Sequence, residues 1–407
     1  MLNSPLELLA RQYGNEVRYD ANGNPSIFCK FPKMKSSDLD SRLPNHVHPA
    51  FVVNNTEDDA ILIGKFKCAE LSKDGTLYSL PNMPPRVTLN HDAFLARMRA
   101  FGGGVSGMTI ADHGFLLLLA AKNGWVPKGN NYWSVDYRDG SPWELAKDYT
   151  VGTKRVFRGW EYECLIAHTS SAELLPVDSP LHWKPTGKHL GGTPAEPSQY
   201  CADSRYQGYN TLNGSGPLSW YLDGTPGSLC DIQGCCFEQV YGFRLVRCEL
   251  QILGDNNNAA DPGADCSANG AWKAILPHKS DSGYDLVAPG TPGTVHYTWA
   301  NGKITLDTVE PTFDKEYRGC SFKDMLVNTT NLPHVPTILY ELGLAPLPGS
   351  TTQGYFYVQM IEDERVARRG GHYSSTSGAG LGYLHCHAPR SNAYALYGGR
   401  PRSRLNP

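Results

Sequence analysis

Two stretches near the C-terminus decide the reading of this chain. Arg369-Gly370-Gly371-His372-Tyr373-Ser374-Ser375-Thr376-Ser377-Gly378-Ala379-Gly380 opens the segment, and Pro389-Arg390-Ser391-Asn392-Ala393-Tyr394-Ala395-Leu396-Tyr397-Gly398-Gly399-Arg400-Pro401 closes it. From His372 to Tyr397 there is no Lys, Glu, Asp, Gln, Met or Trp. Tyrosine, imidazole and small side chains alternate with Gly, Ser and Pro. Tyr supplies contact area at low entropy cost, and Ser, Gly and Asn supply adaptable hydrogen bonds, as in antibody loops. The composition predicts a displayed binding surface.

The rest of the chain sets bounds. A length of 407 residues allows two or three structural units. With 42 Gly and 29 Pro, loop-rich β structure is favoured over helical bundles. A net charge of −3 gives no basic footprint for nucleic acid. No apolar run approaches the roughly 18 residues of a membrane span. The nearest, Phe115 to Ala121, reads as a buried helix. No basic start followed by an apolar run marks a signal peptide. Eleven cysteines, odd in number and without CxxC spacing, predict buried reduced thiols rather than a zinc site or a disulfide framework.

Local signals predict the elements. Ser4 and Pro5 start a short helix. Val17–Asp20 and Ser26–Phe31 flank Asn22-Gly23 as a hairpin. Phe51–Val53 and Ala60–Phe66 read as strands. One helix runs near Asn90 to Ala100. A second starts at Thr109, with Asp112 completing a variant capping box, and stops at Gly124. Trp125 to about Thr225 reads as irregular. Phe237–Ile252 reads as a strand pair or one long strand. Thr294–Leu306 around Asn301-Gly302 is the strongest hairpin signal. A short helix follows at Pro336–Leu342, and a strand at Tyr355–Ile361.

The segment resembles the variable region of C-type-lectin-fold proteins diversified by retroelements, many of them phage receptor-binding proteins. The resemblance rests on Arg369–Gly371, Gly378–Gly380, Pro389–Ser391 and Gly398–Arg400. In that family, adenines of a template are randomised, mostly in Asn codons. The products include Tyr, His, Cys, Ser, Ala, Gly and Leu but not Lys, Glu, Gln, Met or Trp, and the segment obeys this restriction. Upstream, His48–Phe51, Tyr78–Pro81, Met108-Thr109, Lys122–Gly124, Pro127–Tyr132, Gly224–Gly227, Asp231–Gly234 and Tyr241–Ile252 resemble the family's successive motifs in order. Asp231 to Gln239 echoes a motif of the formylglycine-generating enzymes, with Phe237 and Gln239 where that motif has Trp. This departure predicts repacking under the binding face.

The resemblance implies an α+β, C-type lectin fold (formylglycine-generating-enzyme-like) with two helices, irregular loops and a β-rich insertion. The expected organisation is a small N-terminal attachment unit at 1–45, the first part of the lectin fold at 46–252, the insertion at 253–350 and the variable region at 351–407. The expected role is receptor recognition on a virion tail, or alternatively at a bacterial cell surface. A host protein or glycan would be the ligand and other tail proteins the neighbours. A trimer suits a tail-tip role. No cofactor, catalytic residue, nucleic acid or membrane insertion is expected.

The candidate contact set is His372, Tyr373, Ser374, Ser375, Tyr383, His385, His387, Ala388, Asn392, Tyr394, Ala395, Leu396 and Tyr397. Gly370, Gly371, Pro389, Arg390 and Gly398 are its framework. Leu384 is expected to point inward, and His385 and His387 to share one side of a strand as surface contacts, with Cys386 opposite.

Other chemistry is weaker. A metal-dependent oxidase of the formylglycine-generating type needs a cysteine pair in the C-terminal segment, where only Cys386 lies. A structural tail component would bury Tyr394 and Tyr397 in an assembly. His46 and His48 suit a hydrogen-bonding junction. Gly102–Gly104 lacks the Lys of a phosphate loop and reads as a turn. Asp136, Asp139, Glu144 and Asp148 fit no EF-hand spacing and read as a solvated loop.

Overall fold

The computed structural model describes residues 4–71, 75–196, 203–253, 258–268 and 270–405. The chain is α+β and mostly β, with five helices among the described residues. These are α1 (Pro5–Gln12), α2 (Ser36–Leu39), α3 (His91–Arg99), α4 (Ile110–Lys122) and α5 (Thr337–Glu341). The two helices expected in the lectin-like body correspond to α3 and α4. The short helices expected outside it correspond to α1 and α5, and α2 has no counterpart in the sequence reading.

Capping residues set the helix starts. Ser4 Oγ accepts from the Glu7 amide while the Glu7 carboxylate accepts from the Ser4 amide. Thr109 and Asp112 do the same for α4, at 3.1 and 2.8 Å. Each cap satisfies donors that a helix end leaves unmade. Gly124, at φ +63°, follows the end of α4.

A five-stranded sheet runs β1-β2-β3-β17-β4, where β1 is Asn15–Tyr19, β2 Pro25–Pro32, β3 Ala60–Gly64, β4 Val105–Gly107 and β17 Pro401–Arg404. The leading hairpin β1–β2 therefore docks on the main body, and the C-terminal strand closes the sheet between β3 and β4.

The second sheet has twelve strands. They are β5 (Phe237–Val246), β6 (Glu249–Leu253), β7 (Trp272–Pro277), β8 (Tyr284–Val287), β9 (His296–Ala300), β10 (Lys303–Asp307), β11 (Tyr317–Ser321), β12 (Leu326–Val327), β13 (Tyr355–Gln359), β14 (Arg365–Gly370), β15 (Gly380–Ala388) and β16 (Tyr397–Gly399). The main path is β11-β13-β15-β14-β5-β6-β9-β10-β12, with β7 and β8 off β6, and β16 beside β5. Segment 253–350 thus supplies β7 to β12 to the sheet that carries the C-terminal segment, and also holds α5. The Asn301-Gly302 turn joins β9 to β10 with both residues at positive φ, the geometry that matches strand twist in a two-residue hairpin.

Helix α4 ties the sheets together. Phe115 and Leu116 are fully buried, in one core with Ile61 and Ile63 of β3 and Val240, Phe243 and Leu245 of β5. Burying each such side chain contributes about 1.5–3 kcal/mol, which outweighs any helix-propensity difference at these positions. An α4 that is apolar on nearly every side is therefore a core helix.

The stretch expected to be irregular carries strands. Lys154–Phe157, Trp160–Cys164 and Trp183–His189 form a three-stranded sheet. Its small core is Tyr149, Cys164 and Trp183. The sequence hides these strands because polar and charged residues fill their exposed positions and only one face is apolar. All ten described cysteines are buried and unbridged, Cys235 and Cys236 included. Cys201 lies outside the described residues.

Candidate ligand-binding face

The alternation along β15 builds the face. Leu384 and Cys386 are fully buried in the main core. Tyr383, His385 and His387 project from the opposite side, as strand geometry requires. On the parallel neighbour β13, Phe356 and Val358 enter the same core, so Tyr355 and Tyr357 lie on the same side as Tyr383.

The rings form one connected cluster. Ring centroids are 4.6 Å apart for Tyr355–Tyr357, 5.8 Å for Tyr357–Tyr383 and 3.5 Å for His385–His387. Phe237 of β5 is the hub, within 4.8 to 5.9 Å of His372, His385, Tyr383 and Tyr397. Tyr397 contacts Tyr394 at 5.8 Å, and His387 contacts Tyr317 of β11 at 5.0 Å. Tyr373 packs on Tyr209 at 5.5 Å and on His372 at 5.6 Å.

The candidate set divides into a rim and a floor. Tyr394 is 54 % exposed, and His372, Ser374, Ser375, His387, Asn392, Ala395 and Leu396 are half-buried. Tyr373, Tyr383, His385, Ala388 and Tyr397 are buried. The expectation that His385 is a surface contact is therefore corrected, since it is only 3 % exposed. The cause is topological. β15 is an interior strand between β13 and β14, and the rings of His387, Phe237 and Tyr397 lie 3.5, 5.0 and 6.0 Å from that of His385. The expectation that Tyr373, Tyr383 and Tyr397 are displayed contacts is corrected too: Tyr383 shares the interior strand β15, Tyr373 packs on Tyr209 and His372, and Tyr397 packs against Phe237 and the Arg368 guanidinium.

The framework is charged and inflexible. Gly370 and Gly371, at φ +86° and +83°, turn the chain out of β14 in a conformation that costs other residues. The Arg390 guanidinium grips both Glu364 oxygens at 3.0 and 3.1 Å and donates to Asp92 at 2.6 Å. Arg400 donates to both Glu238 oxygens and to the carbonyls of Gly64, Lys65 and Cys230. The loop between Arg390 and Arg400 is thus held at both ends by buried or half-buried ion pairs, which pre-organise the face.

Several face residues lie outside the candidate set: Phe237, Tyr317, Tyr355, Tyr357 and Arg368. One signal is visible for the pair on β13. Tyr355-Phe356-Tyr357-Val358 alternates tyrosine with apolar residues, which marks a half-buried strand. Nothing local in sequence brings Tyr317 or Phe237 to the same place; only the sheet order does.

The other candidate groups are used structurally. His46 Nε2 sits 2.6 Å from the Glu341 carboxylate, and His48 Nε2 lies 3.1 Å from the Glu341 carbonyl. Asp136, instead of lining a solvated loop, is buried and holds Arg138, Gly129 and Asn131. Asp139 pairs with Lys128. Among the described residues no three His, Cys, Asp or Glu side chains group closely enough to hold a metal ion. No helix there is long and apolar enough to cross a membrane. A cavity of about 320 Å³ opens near Trp125, Gln233 and Phe322 and contains none of the candidate residues. Neither the known protein families nor the curated proteins contain a match to this chain.

Burial keeps the imidazoles of the face neutral. It lowers His372 and His387 to about 4 and His385 well below its ordinary value, with Arg368 adding to the last two. Burial does the same to His48, lowered to about 4. An unfolded chain binds protons on these groups from about pH 6.5 downward. Their contribution is therefore intact above about pH 6.5 and is lost as pH falls toward 4. The thermal midpoint is expected to drop steadily across that window, and His387→Gln is expected to reduce the slope. A midpoint independent of pH there would contradict this assignment.

Proposed function

We propose that the chain is a receptor-recognition protein of the C-type-lectin-fold type. In this reading a retroelement diversifies its C-terminal face, and the protein acts on a phage tail by binding a host surface protein or glycan. The observation that carries the reading is the convergence of the segment's aromatic and imidazole residues on one face, framed by buried fixed residues. A few aromatic anchors supply most of the energy in such interfaces, while the surrounding positions tune fit. Tyr394 and Tyr317, 54 % and 60 % exposed, are the accessible anchors. The half-buried Ser374, Ser375 and Asn392 are the adaptable polar contacts. Many copies on one virion make a weak single site sufficient.

The test is retention of purified protein on a panel of host-range cells. The parent is expected to bind some strains. Tyr394→Ala with Tyr317→Ala is expected to reduce retention about tenfold or more at an unchanged melting midpoint. Equal retention of parent and variant would contradict the proposal.

A further inference from the structure

The central strand of the face carries a buried cation without a counter-charge. Arg368 of β14 is fully buried, and none of its three guanidinium nitrogens has a hydrogen-bond partner among the described residues. Its register partners are Gln239 of β5 and His385 of β15, which places it on the side of Phe237, Tyr383 and His387. Gln239 is already engaged, by His91 and the Leu89 carbonyl at 3.2 Å each. The Nδ1 atoms of His385 and His387 are likewise buried and unpartnered. The guanidinium lies over the Tyr397 ring, 3.8 Å from its centroid.

The neighbouring arginines show the contrast. Arg400 and Arg390 each meet a carboxylate. Arg369, on the core side, has no carboxylate either, but one of its nitrogens donates to the Leu342 and Gly343 carbonyls, while the other two are unpartnered among the described residues. Arg368 has no such bond from any nitrogen. Charged groups left unpaired inside a protein are costly, so an acceptor is the missing component. Burial disfavours the charge of Arg368, and among the described residues no carboxylate bonds to its guanidinium.

We infer that Arg368, flanked by His385 and His387, is a seat for a carboxylate carried by the ligand, which enters as the Tyr397 ring swings aside. This deepens the recognition reading and rests on it. A planar guanidinium fork matches a carboxylate with two parallel bonds. The surrounding rim carries the tyrosine rings of Tyr317, Tyr355, Tyr357 and Tyr394, and such rings suit the C–H faces of a pyranose. The geometry favours an acidic saccharide over an acidic peptide, because the rim offers flat rings and the 320 Å³ cavity that would take an aliphatic anchor lies elsewhere.

The experiment titrates the full chain with D-glucuronate, D-glucose and N-acetylglutamate, following the histidine imidazole signals by NMR. Glucuronate is expected to shift the His385 and His387 signals and to bind about tenfold tighter than glucose. Arg368→Gln is expected to abolish that preference, with melting checked in parallel. His387→Ala, at the half-buried rim, is the second variant and is expected to weaken glucuronate severalfold without unfolding. Equal binding of glucuronate and glucose, or an undiminished preference in either folded variant, overturns the carboxylate seat. Preference for N-acetylglutamate overturns the saccharide assignment. If cells still retain the protein in a Tyr394-dependent way while glucuronate fails, the recognition reading stands and only this inference falls.

Discussion

Replacing Glu238 by alanine is expected to destabilise the fold by about 3–5 kcal/mol. Glu238 is bonded to two buried cations, Lys67 at 2.6 Å and Arg400 at 2.8 Å, all at most 1 % exposed. Burial alone would raise the pKa of Glu238. Arg400 and Lys67 overcome that and hold it near 2, so it is charged at neutral pH. Removing it leaves two uncompensated cations where water does not reach. Total stability is only about 5–15 kcal/mol, so the loss is a large share of it. Urea unfolding at neutral pH checks this, with Glu238→Gln, which keeps the shape and removes the charge, as the comparison. A loss below about 1 kcal/mol would show that the triad is not the anchor of the C-terminal framework.

Phe237→Ala is expected to have an effect of similar size by another mechanism. The side chain before Glu238 on β5 points to the opposite side and touches four rings of the face. Truncating a buried Phe costs about 3–5 kcal/mol through lost transfer energy and the cavity left behind. Here the cavity lies directly under the face, so His372, Tyr383 and Tyr397 lose their common support. Cell retention and stability are expected to fall together in this variant. Tyr394→Ala separates the two, since truncating a surface side chain usually changes stability by no more than about 0.5 kcal/mol. Retention that survives in a folded Phe237→Ala protein would show that the face is not pre-organised by its floor.

Much of this was readable from sequence where the signal is local. Ser4 and Thr109 name their helix starts because a cap is a contact three residues long. Asn301-Gly302 names its turn because the backbone there needs positive φ. The alternation Tyr383-Leu384-His385-Cys386-His387 separates face from core because strand side chains have a period of two. The depth of the face was not readable. His385 is buried because β15 has a neighbour on each edge and the rings of Phe237 and Tyr397 pack near it, and no pattern within the segment states that. Phe237, Tyr317 and Arg368 are missed for the same reason. Their place depends on strands far apart in sequence pairing in the order β11-β13-β15-β14-β5. Phe237 is a partial exception, because its departure from the enzyme motif predicts repacking at that position.

The most direct test of the account is deep sequencing, across the source population, of the ~120 nucleotides that encode residues 369–407, at roughly three bases per residue. The account predicts substitutions concentrated at His372, Tyr373, Ser374, Ser375, Tyr383, His385, His387, Ala388, Asn392, Tyr394, Ala395, Leu396 and Tyr397. It also predicts that they arise at adenines of a nearby template copy, while Gly370, Gly371, Arg390, Gly398 and Arg400 stay fixed. An invariant segment with no template copy would contradict diversification.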